Sequence, residues 1–202
     1  MSTAFRRARG GAVSASFHQA EADLLRSLVT QLLELLHDRS SAGDAALADD
    51  PLAAAIGIED DSSRPTDPVV LRLFPDGYRA DDEAAREFRR FTERGLREKK
   101  TEAAVTVLAS LAAAGLPEPD QVTGSSREKI RLRLDQDEAA AWLRTLTDLR
   151  LALGTRLGVQ QGDDEIWDAL PDDDPRRQVH HVYEWLGWVQ ETLVRAIATG
   201  LA

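Results

Sequence analysis

One pattern occurs twice in this sequence, separated by 117 residues, as from position 13 to position 130, and it constrains the fold more than any other feature. A short run of alternating apolar and polar residues is followed by a segment with apolar residues at three- and four-residue steps. Alternation is typical of a half-buried strand, and the longer period is typical of a helix with one buried face. The matching positions are Val13, Ala15, Phe17, Leu25, Val29, Leu32 and Leu36 in the first copy, and Ile130, Leu132, Leu134, Trp142, Leu146, Leu149 and Leu153 in the second.

The two alternating runs, at 12–17 and 129–134, are predicted to pair with each other. An isolated strand leaves its backbone N–H and C=O groups without partners, so pairing beneath the helices is the economical arrangement. The alternative is that any strand followed by a capped helix resembles any other, in which case the repeat carries no structural meaning. The fold class is the same under both interpretations.

The predicted fold class is mainly α with a small β element: a helical bundle of about four long helices plus the two short strands. The helices are expected from Gln19 to Asp38, from Asp82 to Ala114 with Gly95 as a candidate break, from 136 to 157, and from Pro175 to near Gly200. The predicted apolar anchors are Phe88, Phe91, Val105, Leu108 and Leu111 in the second helix, and Val179, Val182, Leu186, Val189, Leu193 and Ile197 in the last.

A single domain, 1–202, is expected, because the length is close to that of one domain and the 43% hydrophobic content is enough for one core. Residues 39–67 are predicted to form an exposed linker, and residues 160–174 an acidic loop. No apolar run approaches the roughly 18 residues of a membrane span, and no apolar segment follows the arginines near the N-terminus as an export signal requires. We therefore expect a cytoplasmic protein that does not contact a membrane.

Cysteine is absent, which excludes disulfides, thiolate metal sites, cysteine nucleophiles and thiol redox switches within this chain. The sequence has no Gly-x-Ser-x-Gly motif, Walker loop or dinucleotide fingerprint. His180 and His181 lie near the carboxylates of 172–174, but a metal site needs more ligands, and a solvated helix start is the favoured interpretation. We predict no enzyme, with no catalytic, metal-binding or cofactor-binding residues.

Basic residues concentrate at 86–100, which makes this helix a candidate interaction surface. Glutamates three or four residues from these arginines favour a solvated face of salt bridges, and direct DNA binding is the alternative. The net charge of −10 argues against non-specific nucleic-acid binding, although a local basic patch would override it. Trp142 and Trp185 fall near predicted core stripes, whereas Trp188 does not. The candidate interaction surface is Arg86, Arg90, Arg94, Arg97 and Trp188.

The segments 73–90, 142–158 and 183–193 resemble one actinobacterial family, and the resemblance spans nearly the whole chain. That family, a domain of unknown function often encoded beside the ClpS adaptor, includes the oxidative stress transcriptional regulator AosR. The resemblance implies a cytoplasmic regulatory protein that acts on transcription through a promoter-bound assembly or a sigma factor. It also implies oxidation sensing by a cysteine pair in the named member, which cannot carry over to a chain without cysteine.

The leading functional hypothesis is therefore a non-enzymatic regulator that docks onto a protein partner, such as a sigma factor or another transcription component. Direct DNA binding through the basic helix 86–100 is the first alternative. A proteolysis-linked accessory protein is the second, and it rests on the gene neighbourhood that the resemblance implies. A homodimer is compatible with the long apolar stripes.

Overall fold

The computed structural model describes residues 3–49, 65–78, 81–119 and 129–199. Strands β1 (Thr3–Arg7), β2 (Val13–His18) and β3 (Lys129–Leu134) form an antiparallel sheet in that order. The helices in these ranges are α1 (Gln19–Asp49), α2 (Pro68–Leu73), α3 (Asp82–Ala113), α4 (Gln136–Leu157), α5 (Asp164–Asp168) and α6 (Pro175–Ala198). Four of the helices are long, so the mainly α class with a small β element is confirmed.

The pairing predicted from the repeat is confirmed, because β2 and β3 pair over their whole length. Val13 lies opposite Leu134, and Phe17 lies opposite Ile130. Directly opposite residues share one face of a sheet, so the apolar residues of both strands point together into the core. They are buried there, while the residues between them face outward.

β1 is a third strand that the sequence analysis did not predict. Its one large apolar side chain, Phe5, packs edge-to-face on Phe17, with 5.8 Å between ring centroids, and on Trp142, with 5.6 Å. The backbone N–H of Phe5 also donates a hydrogen bond to Thr192 Oγ1 at 3.3 Å. A single apolar residue shows no alternation, so only tertiary packing reveals this strand.

The core of the fold centres on Trp142, which is fully buried. Its ring stacks on Phe17 at 6.1 Å, and its Nε1 donates a hydrogen bond to Ser110 Oγ at 2.8 Å. Trp142 lies on α4, which packs against α2, α3 and α6 and is therefore the central helix. The α4 N-terminus has a capping box, in which Asp135 and Glu138 each accept a hydrogen bond from the other's backbone N–H.

Helix α1 is longer than predicted. It extends to Asp49, so the expectation of a linker from residue 39 onward is wrong for residues 39–49. Residues 50–64 of that expected linker lie outside the described residues. At the end of the expected linker, Asp67 caps α2, because its side chain accepts a hydrogen bond from the Val69 N–H at 2.8 Å and Pro68 begins the helix.

Helix α3 is continuous through Gly95, and its buried face differs from the predicted one. Its core contacts come from Ala103, Ala104, Val107 and Leu111, whereas the predicted anchors Phe88, Phe91 and Val105 are exposed. Phe91 falls on nearly the opposite side of the helix from the buried Val107. In α6, Val179 is likewise exposed instead of buried.

In the part of the chain that the structure describes, none of the helices combines the length and the apolar character needed to cross a membrane.

Candidate functional site

Arg97 is directed into the molecule, so it does not belong to an exposed surface. It is only 8% exposed, and its guanidinium lies 4.6 Å from the centre of the Phe74 ring. Its Nη1 donates to the Leu36 carbonyl at 2.5 Å and its Nη2 to Glu93 at 2.6 Å. These contacts join α1, the end of α2 and α3, which gives Arg97 a structural role. We therefore leave it out of the candidate surface.

Two further cations of the basic segment also turn inward. Arg89 forms an ion pair with Asp76, and Lys100 Nζ lies 2.6 Å from Asp148 Oδ1 on α4. Burial raises the pKa of Asp148 above its usual value, and the hydrogen bond and charge of Lys100 offset that rise only in part. The predicted solvated face of salt bridges is wrong for these residues, although it holds for Arg94 and Glu98, which are both largely exposed and 3.2 Å apart.

The outward side of α3 carries aromatic residues that the sequence analysis had placed in the core. Phe91 is 73% exposed, and Phe88 packs edge-to-face on the ring of Tyr78, which is also exposed. The Arg90 guanidinium lies 5.8 Å from the centre of the Phe91 ring. Arg86 and Arg94 are exposed on the same helix, as predicted. We call Tyr78, Phe88, Arg90, Phe91 and Arg94 the α3 outer surface.

A helical-wheel count would have found the exposed position of Phe91. Phe91 precedes the buried Val107 by 16 positions, which at about 100° per residue places it roughly 160° around the helix. Apolar residues recur on more than one face of α3, so their number does not identify the buried face. The number of apolar residues alone therefore led to a wrong prediction of the buried face of α3.

Trp188 lies on α6 and is 40% exposed. α6 packs mainly on α4 and β1, whereas α3 packs mainly on α4 and α1. The helical neighbours of Trp188 are Glu184 and the ion pair of Glu191 with Arg195. The structure does not bring Trp188 together with the α3 arginines, so the predicted residues do not form one site.

His180 is buried, and its interpretation as part of a solvated helix start is wrong. Its ring stacks on Trp167 of α5, with 4.5 Å between centroids and planes 5° apart. Its Nδ1 lies 3.9 Å from Glu184 Oε2. The stack anchors the acidic segment around α5 to the start of α6. Within the described ranges, no three His, Asp or Glu side chains are grouped closely enough to hold a metal ion.

An open cleft of about 820 Å³ lies between α3 and α4. Its floor includes Ala103 and Ala141, and the Lys100–Asp148 pair lies along it. Charges of both signs line its rims, and no histidine is among its lining residues.

Comparison with known proteins relates the whole chain to one family. Residues 2–197 match the family described as a domain of unknown function, DUF2017. Proteins named oxidative stress regulator AosR from Mycobacterium bovis (strain ATCC BAA-935 / AF2122/97) and Mycobacterium tuberculosis (strain ATCC 25618 / H37Rv) are each 33% identical over 184 residues, covering 86% of this chain and 77% of the relative. A Mycobacterium leprae (strain TN) relative that also carries the AosR name is 33% identical over 191 residues, covering 88% and 78%. No solved structure matches the chain.

Proposed function

This chain belongs to the DUF2017 family, and from its regulator-named relatives and its α3 outer surface we propose that it is a non-enzymatic regulatory protein that acts by binding another protein. The proposed partner is a component of the transcription machinery, such as a sigma factor. The partner is proposed to bind at the α3 outer surface. The protein is proposed to be cytoplasmic.

The exposure of Phe91 is the observation that carries this proposal. Aromatic residues and arginine are enriched at the centres of protein–protein interfaces, and energetic hot spots are commonly Trp, Tyr and Arg. The α3 outer surface combines two phenylalanines, a tyrosine and two arginines on adjoining turns. Burying a phenylalanine side chain stabilises a complex by about 1.5–3 kcal/mol, so this surface favours a protein partner.

The lack of cysteine decides how an oxidative signal would reach the protein. The chain has no thiol, and its one methionine is Met1. A reversible disulfide or sulfenic acid therefore cannot form within it. Under this proposal the partner carries the redox-sensitive group, and this chain responds to the state of that partner.

Site-specific photo-crosslinking tests the proposal in cells. A photoreactive residue at position 91 should capture a transcription component, whereas the same residue at Ile166, another strongly exposed apolar position, should not. Purified partner and chain should then bind, and Phe91→Ala should weaken that binding about 10- to 100-fold, in line with the lost burial energy. Ile166→Ala should change the affinity less than about twofold.

Two results would contradict the proposal. One is a captured transcription component whose affinity for the purified chain is the same with Phe91→Ala as with the unaltered chain. The other is a homodimer, measured by light scattering, that dissociates when Phe91 is replaced, because the α3 outer surface would then belong to a contact between two copies.

A further inference from the structure

The outward face of the sheet gathers a set of arginines from two distant parts of the sequence. In the register of the sheet, Arg6 lies opposite Ser14, and Ser14 lies opposite Arg133. One step along, Ser16 lies opposite Arg131. Opposite residues share a face, and the apolar residues between them point into the core, so these arginines point away from it.

The turn between β1 and β2 extends this group. Arg9 is exposed there, and Arg133 Nη2 donates a hydrogen bond to the Arg9 carbonyl at 3.0 Å, which holds the guanidinium of Arg133 beside the turn. We call the resulting set the basic sheet surface: Arg6, Arg9, Arg131 and Arg133.

The charges of this surface are not neutralised within the described part of the chain. None of its arginines forms an ion pair with a described carboxylate, in contrast to Arg94 and Arg97 of α3, which pair with Glu98 and Glu93. Four uncompensated positive charges lie together in a chain whose net charge is −10. Such a separation of charge produces a local positive potential that attracts a polyanion.

The shape of the surface also fits a phosphate chain. Strands are about 4.8 Å apart, so Arg6 and Arg133 begin about 9.6 Å from each other across the small side chain of Ser14. Arg131 and Arg133 are two residues apart on β3, a spacing of about 6.8 Å along the strand. The arginines therefore border a shallow trough floored by Ser14 and Ser16.

The polar character of the basic sheet surface limits which class of molecule it can bind. Among the described residues, the exposed large apolar side chains lie on helices or loops and none on the sheet. A protein interface usually has an apolar centre, and a membrane-binding surface inserts apolar residues, so neither suits this face. Phe5 and Phe17 point inward, so neither of these phenylalanines is available for base stacking.

We propose that the basic sheet surface binds the sugar–phosphate backbone of duplex nucleic acid without reading its sequence. Arginine contacts to phosphates supply affinity and position but no base recognition. This interaction is separate from the proposed protein contact at the α3 outer surface, since the two surfaces share no residue. It also places nucleic-acid binding on the sheet and not on the basic helix 86–100.

Fluorescence anisotropy with a labelled mixed-sequence DNA duplex of about 20 base pairs tests this proposal, with salt varied from about 50 to 200 mM. If all four arginines contact phosphates, log K falls with log salt at a slope of about −3.6, and the affinity drops about 150-fold over that range. Arg131→Glu with Arg133→Glu should lower the affinity at least about tenfold at 50 mM and reduce the slope to about −1.8.

Arg90→Glu with Arg94→Glu is the matched control, because it changes the net charge by the same amount on α3. All four positions are exposed, so both double variants should keep the circular dichroism spectrum and melting temperature of the unaltered chain. The control should bind the duplex within about threefold of the unaltered chain, as expected for long-range charge effects alone.

Three results would overturn the proposal: no duplex binding by the unaltered chain at low salt, an equal loss of affinity in both double variants, or equally tight binding of poly-glutamate. The last of these would assign the surface to an acidic polypeptide. None of these results depends on whether Phe91 binds a protein, so the two proposals succeed or fail independently.

Discussion

The buried pair of Lys100 and Asp148 should stabilise the contact between α3 and α4, and Lys100→Met tests this. The Asp148 side chain is 6% exposed and that of Lys100 is 21% exposed, with 2.6 Å between Nζ and Oδ1. Removing one member of a buried ion pair costs about 3–5 kcal/mol, because the remaining charge is left without a partner. Water reaches the lysine side of this pair, so we expect a loss of about 2–3 kcal/mol.

Urea denaturation followed by tryptophan fluorescence measures this loss at neutral pH. With a urea dependence of about 2–3 kcal/mol per molar for a chain of this size, the midpoint should fall by about 1 M. Lys100→Met combined with Asp148→Asn removes both charges and should recover most of the loss, to within about 1 kcal/mol of the unaltered chain. A double variant as unstable as Lys100→Met alone would show that packing of the lysine, and not its charge, stabilises the contact.

The pH dependence provides an independent check on the same pair. Burial raises the pKa of Asp148, so the folded state binds a proton at a pH where the unfolded state has released it. This group therefore favours folding below its unfolded pKa and loses that contribution as the pH rises through its folded pKa. Replacing Lys100 removes the interactions that lower this pKa, which raises it further. The loss of unfolding free energy in Lys100→Met should shrink as the pH falls from neutral toward the pKa of Asp148 in that variant. A loss that does not change with pH would refute the reasoning.

Two other substitutions separate buried from exposed contributions to stability. Phe5→Ala should lower the free energy of unfolding by about 3–4 kcal/mol, because Phe5 packs on Phe17 and Trp142, whereas Phe91→Ala should change it by less than about 0.5 kcal/mol. Similar urea midpoints for these two variants would contradict the assigned role of β1. Ser110→Ala leaves Trp142 Nε1 buried without an acceptor and should cost about 1–3 kcal/mol, and a midpoint unchanged from that of the unaltered chain would show that another group takes over the hydrogen bond.

Local sequence patterns were sufficient to predict the four long helices, apart from the end of α1, and the central strand pair. The alternation at 12–17 and 129–134 identified β2 and β3 to within one residue, and the predicted range 136–157 is the observed α4. These features depend on neighbouring residues, whose spacing is visible in the sequence. The fold class followed from them.

Features that depend on distant contacts could not be predicted in the same way. Phe5 gives β1 no visible pattern, and Phe91 resembles a core residue until its position around α3 is compared with that of Val107. The charge of Arg97 favours a surface position, yet its side chain is buried. There it donates a hydrogen bond to the Leu36 carbonyl and lies against the Phe74 ring. In each case a partner far away in the sequence decides whether the side chain is buried.

The basic sheet surface shows most clearly how a feature can depend on contacts between residues that are distant in the sequence. Its position also affects how the protein would bind its two proposed partners. The alternation at 129–134 puts Arg131 and Arg133 on the face opposite the apolar residues, but only the pairing of β1 with β2 places Arg6 beside them. Because the rest of the chain is strongly acidic, nucleic acid is repelled from most approaches and attracted to the sheet. The helices pack against the inner face of that sheet, so a protein bound at Phe91 on α3 would leave the outer face open. The two proposed interactions are therefore compatible in one complex, as a regulator that joins a protein to nucleic acid requires.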